Sequence, residues 1–308
     1  MHHYGGTVIS VHVLIVNYAS AELVRALVAS LRDEPVDSIR VLENGSGPEQ
    51  VRILEEVARS DERMQVSVSP TNLGFGAGVN RLADSVEAPD QDVLWILNPD
   101  TVVAPGCVAV LEEHLATHPR TIASPLILDA TGGVWFAGGE LSLPSGRSTH
   151  SGYGRSPDGL PTRAFPTRFM TGAAMTTTMT TWHALGGFRD DLFLYWEDSE
   201  LSVRASRSGI ELTVVPQARI MHLEGGSSSA GIGRSTTYYY YYAFNRIRVC
   251  SQYTRKADLL LGRGLIETLR SVVKPLFKEK SGRVAKTRAS LRGMLSGIRA
   301  PRLHPNDR

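Results

Sequence analysis

Cysteine is almost absent: the 308 residues include only Cys107 and Cys250, at a spacing that fits no metal motif. That scarcity excludes a disulfide-built scaffold and favours a reducing, cytoplasmic setting. No run of 18 apolar residues occurs, so no membrane-spanning helix is expected. The chain opens without a basic region followed by an apolar stretch, so no signal peptide is expected either. Internal repeats are lacking, which excludes a repeat array. A strong net charge is also missing, at +2 overall, yet this near-neutrality hides an asymmetry. Residues 255–308 hold 14 Lys and Arg against 4 Asp and Glu, a net of +10, while the remainder carries −8. An acidic body with a basic tail points to an anionic partner for the tail, such as a membrane surface or nucleic acid.

With 42% hydrophobic and 21% charged residues, the chain has the composition of an ordinary globular protein. Short apolar runs alternate with amphipathic stretches through the first half. Val11–Val16, Ile39–Leu42, Val66–Val68 and Val93–Leu97 read as strands. Glu22–Leu31, Val51–Ala58 and Gly76–Ser85 read as helices between them. This alternation predicts an α/β fold, a largely parallel sheet flanked by helices, with ligands bound beyond the strands' carboxyl ends. Polar turns fall at those ends: Asn17-Tyr18, Glu43-Asn44-Gly45-Ser46, Asn72-Leu73-Gly74-Phe75-Gly76 and Asn98-Pro99-Asp100. Each alone is an ordinary turn; four on one rim form the pattern of a nucleotide site.

Residues 132–168 read as extended, hairpin-like structure, and Thr171–Thr181 as a β-branched strand. Phe188–Gly209 reads as an acidic turn followed by an amphipathic helix, and a last strand ends at His222. Gly225–Gly233 is a candidate lid, a Tyr-rich helix begins at Tyr238, and the basic tail begins near Arg255. Among candidate chemical groups, Asp100 is a hard oxygen ligand delivered to the rim by a buried strand. Glu197 and Asp198 are adjacent carboxylates behind the apolar run Phe193-Leu194-Tyr195-Trp196, which suits a general base on an apolar wall or the first turn of a helix.

The ordered set of these pieces resembles family 2 glycosyltransferases, and within them the rhamnosyltransferase-like branch that builds cell-surface polysaccharides. It runs from Val13-Leu14-Ile15-Val16-Asn17-Tyr18 through Leu97-Asn98-Pro99-Asp100-Thr101 and Gly186-Gly187-Phe188 to Phe193–Asp198 and His222. The resemblance implies a GT-A fold over residues 1–250, with a nucleotide-sugar half at about 8–130, an acceptor half at about 131–250, and a helical tail at 251–308. It implies an inverting transfer of a sugar from a dTDP- or UDP-sugar to a hydroxyl of a saccharide or lipid-linked acceptor. Asp100 is then the expected ligand of Mg²⁺ or Mn²⁺ and His222 its helper, with Asp198 the base and Glu197 its neighbour. Glu43 falls where the family reads the pyrimidine, with Asn17, Tyr18 and Asn44 beside it. Asn98 would face the ribose or diphosphate, Gly172 would lie near the donor sugar, and Asn72, Gly74 and Asn80 complete the nucleotide-sugar set. Two departures stand out: Glu43 replaces a usual Asp, and Asn98 replaces the first Asp of the metal motif.

The tail reads as a basic amphipathic helix over 255–302, which suits an anionic membrane surface or packing against the body or a second subunit, as in a homodimer. Nucleic acid is not expected as a partner, because the basic residues come without a recognised motif. A peripheral position on the inner face of the cell membrane follows from the membrane reading. Two other readings of the whole chain compete. A nucleotidyltransferase needs a glycine-rich, basic phosphate loop, which Val16-Asn17-Tyr18-Ala19-Ser20 is not. A catalytically silent nucleotide-sugar-binding protein would have lost Asp100, Asp198 or His222.

Overall fold

The computed structural model describes residues 3–4, 7–223 and 233–303. A short ladder of β1 (His3–Tyr4) and β2 (Thr7–Val8) precedes the alternating half. That half comprises β3 (Val11–Asn17), α1 (Ala21–Ser30), β4 (Ser38–Asn44), α2 (Pro48–Ala58), β5 (Met64–Ser69), α3 (Phe75–Ala83) and β6 (Val93–Leu97). The central strands are buried on both faces, so β6 reads Val-Leu-Trp-Ile-Leu without a polar residue.

Three elements follow that the apolar periodicity does not separate: β7 (Thr101–Val103), α4 (Cys107–Thr117) and β8 (Thr121–Asp129). The first seven residues of β8 are all buried, so no alternation marks it as a strand. α4 is capped from afar, because the buried Glu34 carboxylate accepts the Gly106 and Val108 amides at 2.6 and 2.8 Å. The hairpin-like stretch contains β9 (Val134–Phe136), β10 (Gly139–Ser142), β11 (Arg147–His150) and β12 (Phe165–Pro166), with β10 and β11 paired antiparallel.

The strand expected over 171–181 is shorter. β13 covers Ala174–Thr178, and α5 (Met179–Leu185) begins at once. Thr178 is the reason: its hydroxyl accepts the Thr181 amide at 3.2 Å and turns the β-branched run into a helix start. Next come α6 (Glu197–Arg207), β14 (Glu211–His222) and α7 (Thr236–Tyr253), whose Ser235 hydroxyl caps the Tyr238 amide. The Gly225–Gly233 lid lies outside the described residues except for Gly233.

Ten strands make one mixed sheet, in the order β12-β14-β8-β13-β6-β3-β4-β5, with β7 added on β14 and β9 on β8. β3, β4, β5 and β6 are parallel, and β13 runs antiparallel between β6 and β8. The antiparallel insertion brings the segment 171–173 against the end of β6, where Asn98 N donates to Ala173 O at 2.9 Å. The core packs Trp95, Trp182, Phe136 and Phe188 among aliphatic residues, each worth about 1.5–3 kcal/mol on burial.

The tail is three helices where one was expected: α8 (Lys256–Leu260), α9 (Leu265–Lys278) and α10 (Arg283–Arg299). Gly262 and Gly264 interrupt it first, and Gly282, at φ 63°, interrupts it again. α10 lies close along α7: a Cβ on Gly293 would come within 2.1 Å of Tyr240 O, and one on Gly297 within 2.7 Å of Phe244 O. Among the described residues no helix is long and apolar enough to cross a membrane.

Candidate active site

The polar turns meet along the carboxyl ends of the parallel strands. Asn44, at the end of β4, donates from Nδ2 to Asn72 Oδ1 and Gly74 O, both at 3.1 Å, while its Oδ1 accepts the Leu73 amide. Glu43 accepts the Gly45 and Ser46 amides at 3.1 and 2.8 Å and also the Ser46 hydroxyl. Ser46 Oγ in turn accepts the amide of Ala19, a residue held at φ 53° beside Tyr18. The turns after β3, β4 and β5 are therefore cross-braced into one rim.

At the other end of that rim stand Asp100 and His222. β14 pairs with β7 so that His222 faces Thr101, and Leu223 N donates to Asp100 O at 2.8 Å. This register sets His222 Nε2 3.4 Å from Asp100 Oδ1. The imidazole is stacked on Trp135, with ring centroids 4.2 Å apart and planes 8° from parallel. His150 meets the same indole edge-on and donates from Nδ1 to Trp135 O at 2.9 Å. Burial lowers the His150 pKa, with the Trp135 carbonyl opposing. One carboxylate oxygen and one imidazole nitrogen at this separation fit a shared divalent cation, and a nitrogen ligand suits Mn²⁺ better than Mg²⁺. Among the described residues no third His, Cys, Asp or Glu joins them, so such an ion would take its other oxygens from diphosphate and water.

A pair of adjacent carboxylates, Glu197 and Asp198, opens α6. Asp198 Oδ1 accepts the Ser199 amide at 2.6 Å, and Oδ2 accepts the Gly172 amide at 3.3 Å. Burial raises the pKa of Asp198, and these hydrogen bonds hold it back. Glu197 is enclosed more completely; burial first, and then the charge of Asp198, raise its pKa further. Both shifts run upward, and Glu197 holds its proton at a pH where free carboxylates have lost theirs.

The segment leading to them is strained. Tyr195 and Trp196 sit at φ 66° and 76°, in the left-handed region that costs a side chain about 1–2 kcal/mol each. Helix α7 holds them there. Asn245 Nδ2 donates to the Leu194 and Tyr195 carbonyls, both at 3.0 Å, and Tyr238 packs edge-on against Tyr195 at 4.8 Å. From the turn after β5, Phe193 O accepts the Phe75 amide, and a Cβ on Gly74 would meet that oxygen at 2.0 Å. Only glycine, here at φ 87°, allows the approach.

The structure divides the expected site residues into two groups. Tyr18 is exposed, and Asn72, Asn98, Asp100 and Asp198 are partly so, which leaves them open to a ligand. Asn17, Glu43, Asn44 and Asn80 are buried and frame the rim. Asn17 accepts the Ser20 amide, and Asn80 binds Phe188 N, Phe188 O and Asp190 across 108 to 110 residues. Asn80 thus pins the loop after Gly187 and does not reach the cleft. Gly172 lies against Phe75 and Asp198, where an added Cβ would sit 3.1 Å from the Phe75 ring. The sequence reading does not pick out Trp135. Trp135 carries no local signal, since only the pairing of β9 and β14 on β8 brings it to His222.

Comparison with known proteins identifies the family and the fold. The family model described as glycosyl transferase family 2 matches residues 12–174, just over half of the chain. A Mycobacterium tuberculosis protein named N-acetylglucosaminyl-diphospho-decaprenol L-rhamnosyltransferase is 27% identical over 237 residues, 68% of this chain and 75% of that one. Among solved structures, GalNAc-T7 with UDP, GalNAc and Mn²⁺ superposes with a TM-score of 0.65 at 18% identity. The match takes in 93% of this chain but only 55% of GalNAc-T7, so this chain spans about half of that protein's length. The mannosyltransferase PcManGT from Pyrobaculum calidifontis, with GDP-Man and Mn²⁺, gives 0.55 at 10% identity over 95% of this chain and 76% of that one. Likeness at these identities speaks to the fold.

Proposed function

Because the chain belongs to glycosyl transferase family 2, in its rhamnosyltransferase-like branch, we propose that it is an inverting transferase that moves rhamnose from a nucleoside diphosphate to a lipid-linked saccharide of the cell surface. The observation that carries this reading is one chain of contacts along the rim. Asp198 binds Gly172 N, the adjoining Ala173 O binds Asn98 N, and Asp100, two residues on, meets His222. A displacement at the anomeric carbon needs a base on the acceptor side and positive charge on the leaving-group side. Those two requirements fall on opposite ends of this short bridge.

In the reaction proposed, the acceptor hydroxyl gives its proton to Asp198 as its oxygen bonds to the anomeric carbon and the bond to the diphosphate breaks. The raised pKa of Asp198 makes it a better base than a free carboxylate. Asp100 and His222 would hold Mn²⁺ or Mg²⁺, which when bound neutralises charge on the departing diphosphate. Asn98 would face the diphosphate, and the exposed Tyr18 ring would offer a face to the nucleoside. Glu43 contributes by shaping the Gly45-Ser46 turn, since its carboxylate is committed there. The lipid-linked acceptor rests on the name of the mycobacterial relative, and the dTDP or UDP donor on the family branch.

Asp198→Asn tests the assignment. It should lower kcat about 10²–10⁴-fold and leave the donor Kd, read by calorimetry with UDP- and dTDP-sugars and Mn²⁺, within a few-fold. Turnover near the wild-type rate would overturn the role of Asp198.

A further inference from the structure

The tail helices are packed the wrong way round for a soluble protein. Surface helices normally bury their apolar stripe and expose polar residues. On α9 the buried residues are Thr268, Ser271 and Pro275, whereas Ile266, Leu269, Val273 and Phe277 are exposed, Ile266 and Phe277 each at 79%. The inward polar groups are placed with care. Thr268 Oγ1 accepts from Arg246 and donates to Leu259 O, and Ser290 of α10 donates to Ser271 O. α10 repeats the inversion, burying Lys286, Ser290, Gly293 and Gly297 while Leu291 and Leu295 remain exposed. Such hydrogen bonds fix the orientation of both helices, so the outward apolar faces are built in.

Charge identifies what covers them. Arg270, Arg288 and Arg292 are exposed along the same two helices and Arg263 in the turn before α9, and the one acidic residue within α9 and α10 is Glu267. A cavity of about 550 Å³ opens where α7 and α8 meet the end of the tail. It is lined by Arg255, Arg263 and Arg302, with Asp258 its only acid. Guanidinium groups bind phosphate oxygens in a fixed fork geometry, which suits lipid headgroups. Apolar side chains on the outward face, flanked by basic residues, are the arrangement of a helix lying in a bilayer interface.

We propose that α9 and α10 form a docking face for a membrane of anionic phospholipid, with Ile266, Leu269, Val273 and Phe277 inserted and Arg255, Arg263 and Arg302 taking headgroup phosphates. The face deepens the acceptor reading, because a lipid-linked acceptor is met only at a membrane, and to that extent it rests on that reading. It also has a route to the catalytic segment: α10 packs on α7, and α7 holds the strained residues before Glu197.

The test is vesicle co-sedimentation of the full chain with phosphatidylcholine alone and with phosphatidylcholine containing phosphatidylglycerol. Wild-type protein should bind the anionic vesicles at least ten-fold more tightly, and added salt should weaken that binding. I266D/F277D should abolish binding. R263E/R270E should remove the preference for phosphatidylglycerol. Both variants should keep wild-type circular dichroism and donor hydrolysis, since none of these residues touches the rim. Three results would overturn the proposal: no binding to either vesicle, binding that I266D/F277D leaves intact, or a wild-type dimer that this variant converts to monomer without any vesicle binding. Because the readout is binding and not transfer, a failure here is distinct from a failure of the proposed acceptor.

Discussion

Replacing Glu197 by Gln probes whether this buried carboxyl carries a proton at neutral pH. Glu197 is 7% exposed, and its Oε2 has no hydrogen-bond partner among the described residues. Holding a charge there costs several kcal/mol, so taking up a proton is the cheaper course. In the unfolded chain the group titrates at its ordinary value of 4.5, and in the folded chain well above it. Between those two values the folded protein binds one proton more than the unfolded chain. Stability therefore falls as pH rises through this window, by about 1.4 kcal/mol per pH unit, and the loss is complete above the folded value. From about pH 5.5 to about pH 7.0 that amounts to roughly 2 kcal/mol from this residue. E197Q has nothing to titrate there and should lose roughly 2 kcal/mol less over the same interval, while any contribution of Asp198 remains in both proteins. Urea unfolding at the two pH values, followed by the fluorescence of the four tryptophans, measures the difference. Gln also copies the neutral acid, so transfer at neutral pH should stay within a few-fold of wild type. Equal pH slopes for the two proteins would refute the protonated Glu197.

Two further outcomes test the rim. If Asp100 and His222 hold the metal as proposed, His222→Ala should raise the Mn²⁺ concentration for half-maximal transfer by roughly ten-fold or more, since it removes one of those two ligands; a metal titration with unchanged midpoint would remove His222 from the site. Gly74→Ala should destabilise by at least ~2 kcal/mol, because φ is 87° and the new Cβ would lie 2.0 Å from Phe193 O. Its Tm should fall by roughly 4–8 °C, and transfer should fall with it, because Phe193 opens the segment that carries Asp198.

Much of the alternating N-terminal half is legible because burial there leaves a local trace. β3, β4 and β6 are apolar runs ended by polar turns, and their strand character does not depend on distant partners. The GT-A likeness follows from the order of those turns along the chain, and the family match and superpositions agree with it. Elements such as β8, α4 and the start of α5 are less legible. Their burial is continuous, or it is decided by a single cap such as Glu34 or Thr178 acting across the structure.

The order of the motifs along the chain, through the family resemblance it carries, is what nominates Asp100, Asp198 and His222, since each alone reads equally as a turn, a helix start or a structural histidine. Residue chemistry along the chain suffices to make the tail basic and helical. The assignment of partners belongs to the tertiary structure. A carboxylate at a strand end looks the same whether it faces a ligand or a turn, and only packing shows that Glu43 is spent on Ser46 while Asp100 is left to His222. In the same way, an amphipathic helix has a definite apolar stripe from its sequence, but which way that stripe points is set by the groove it enters. Here Gly293 and Gly297 on α10, and the polar stripe of Thr268 and Ser271 on α9, take the inward places and leave the apolar faces outside.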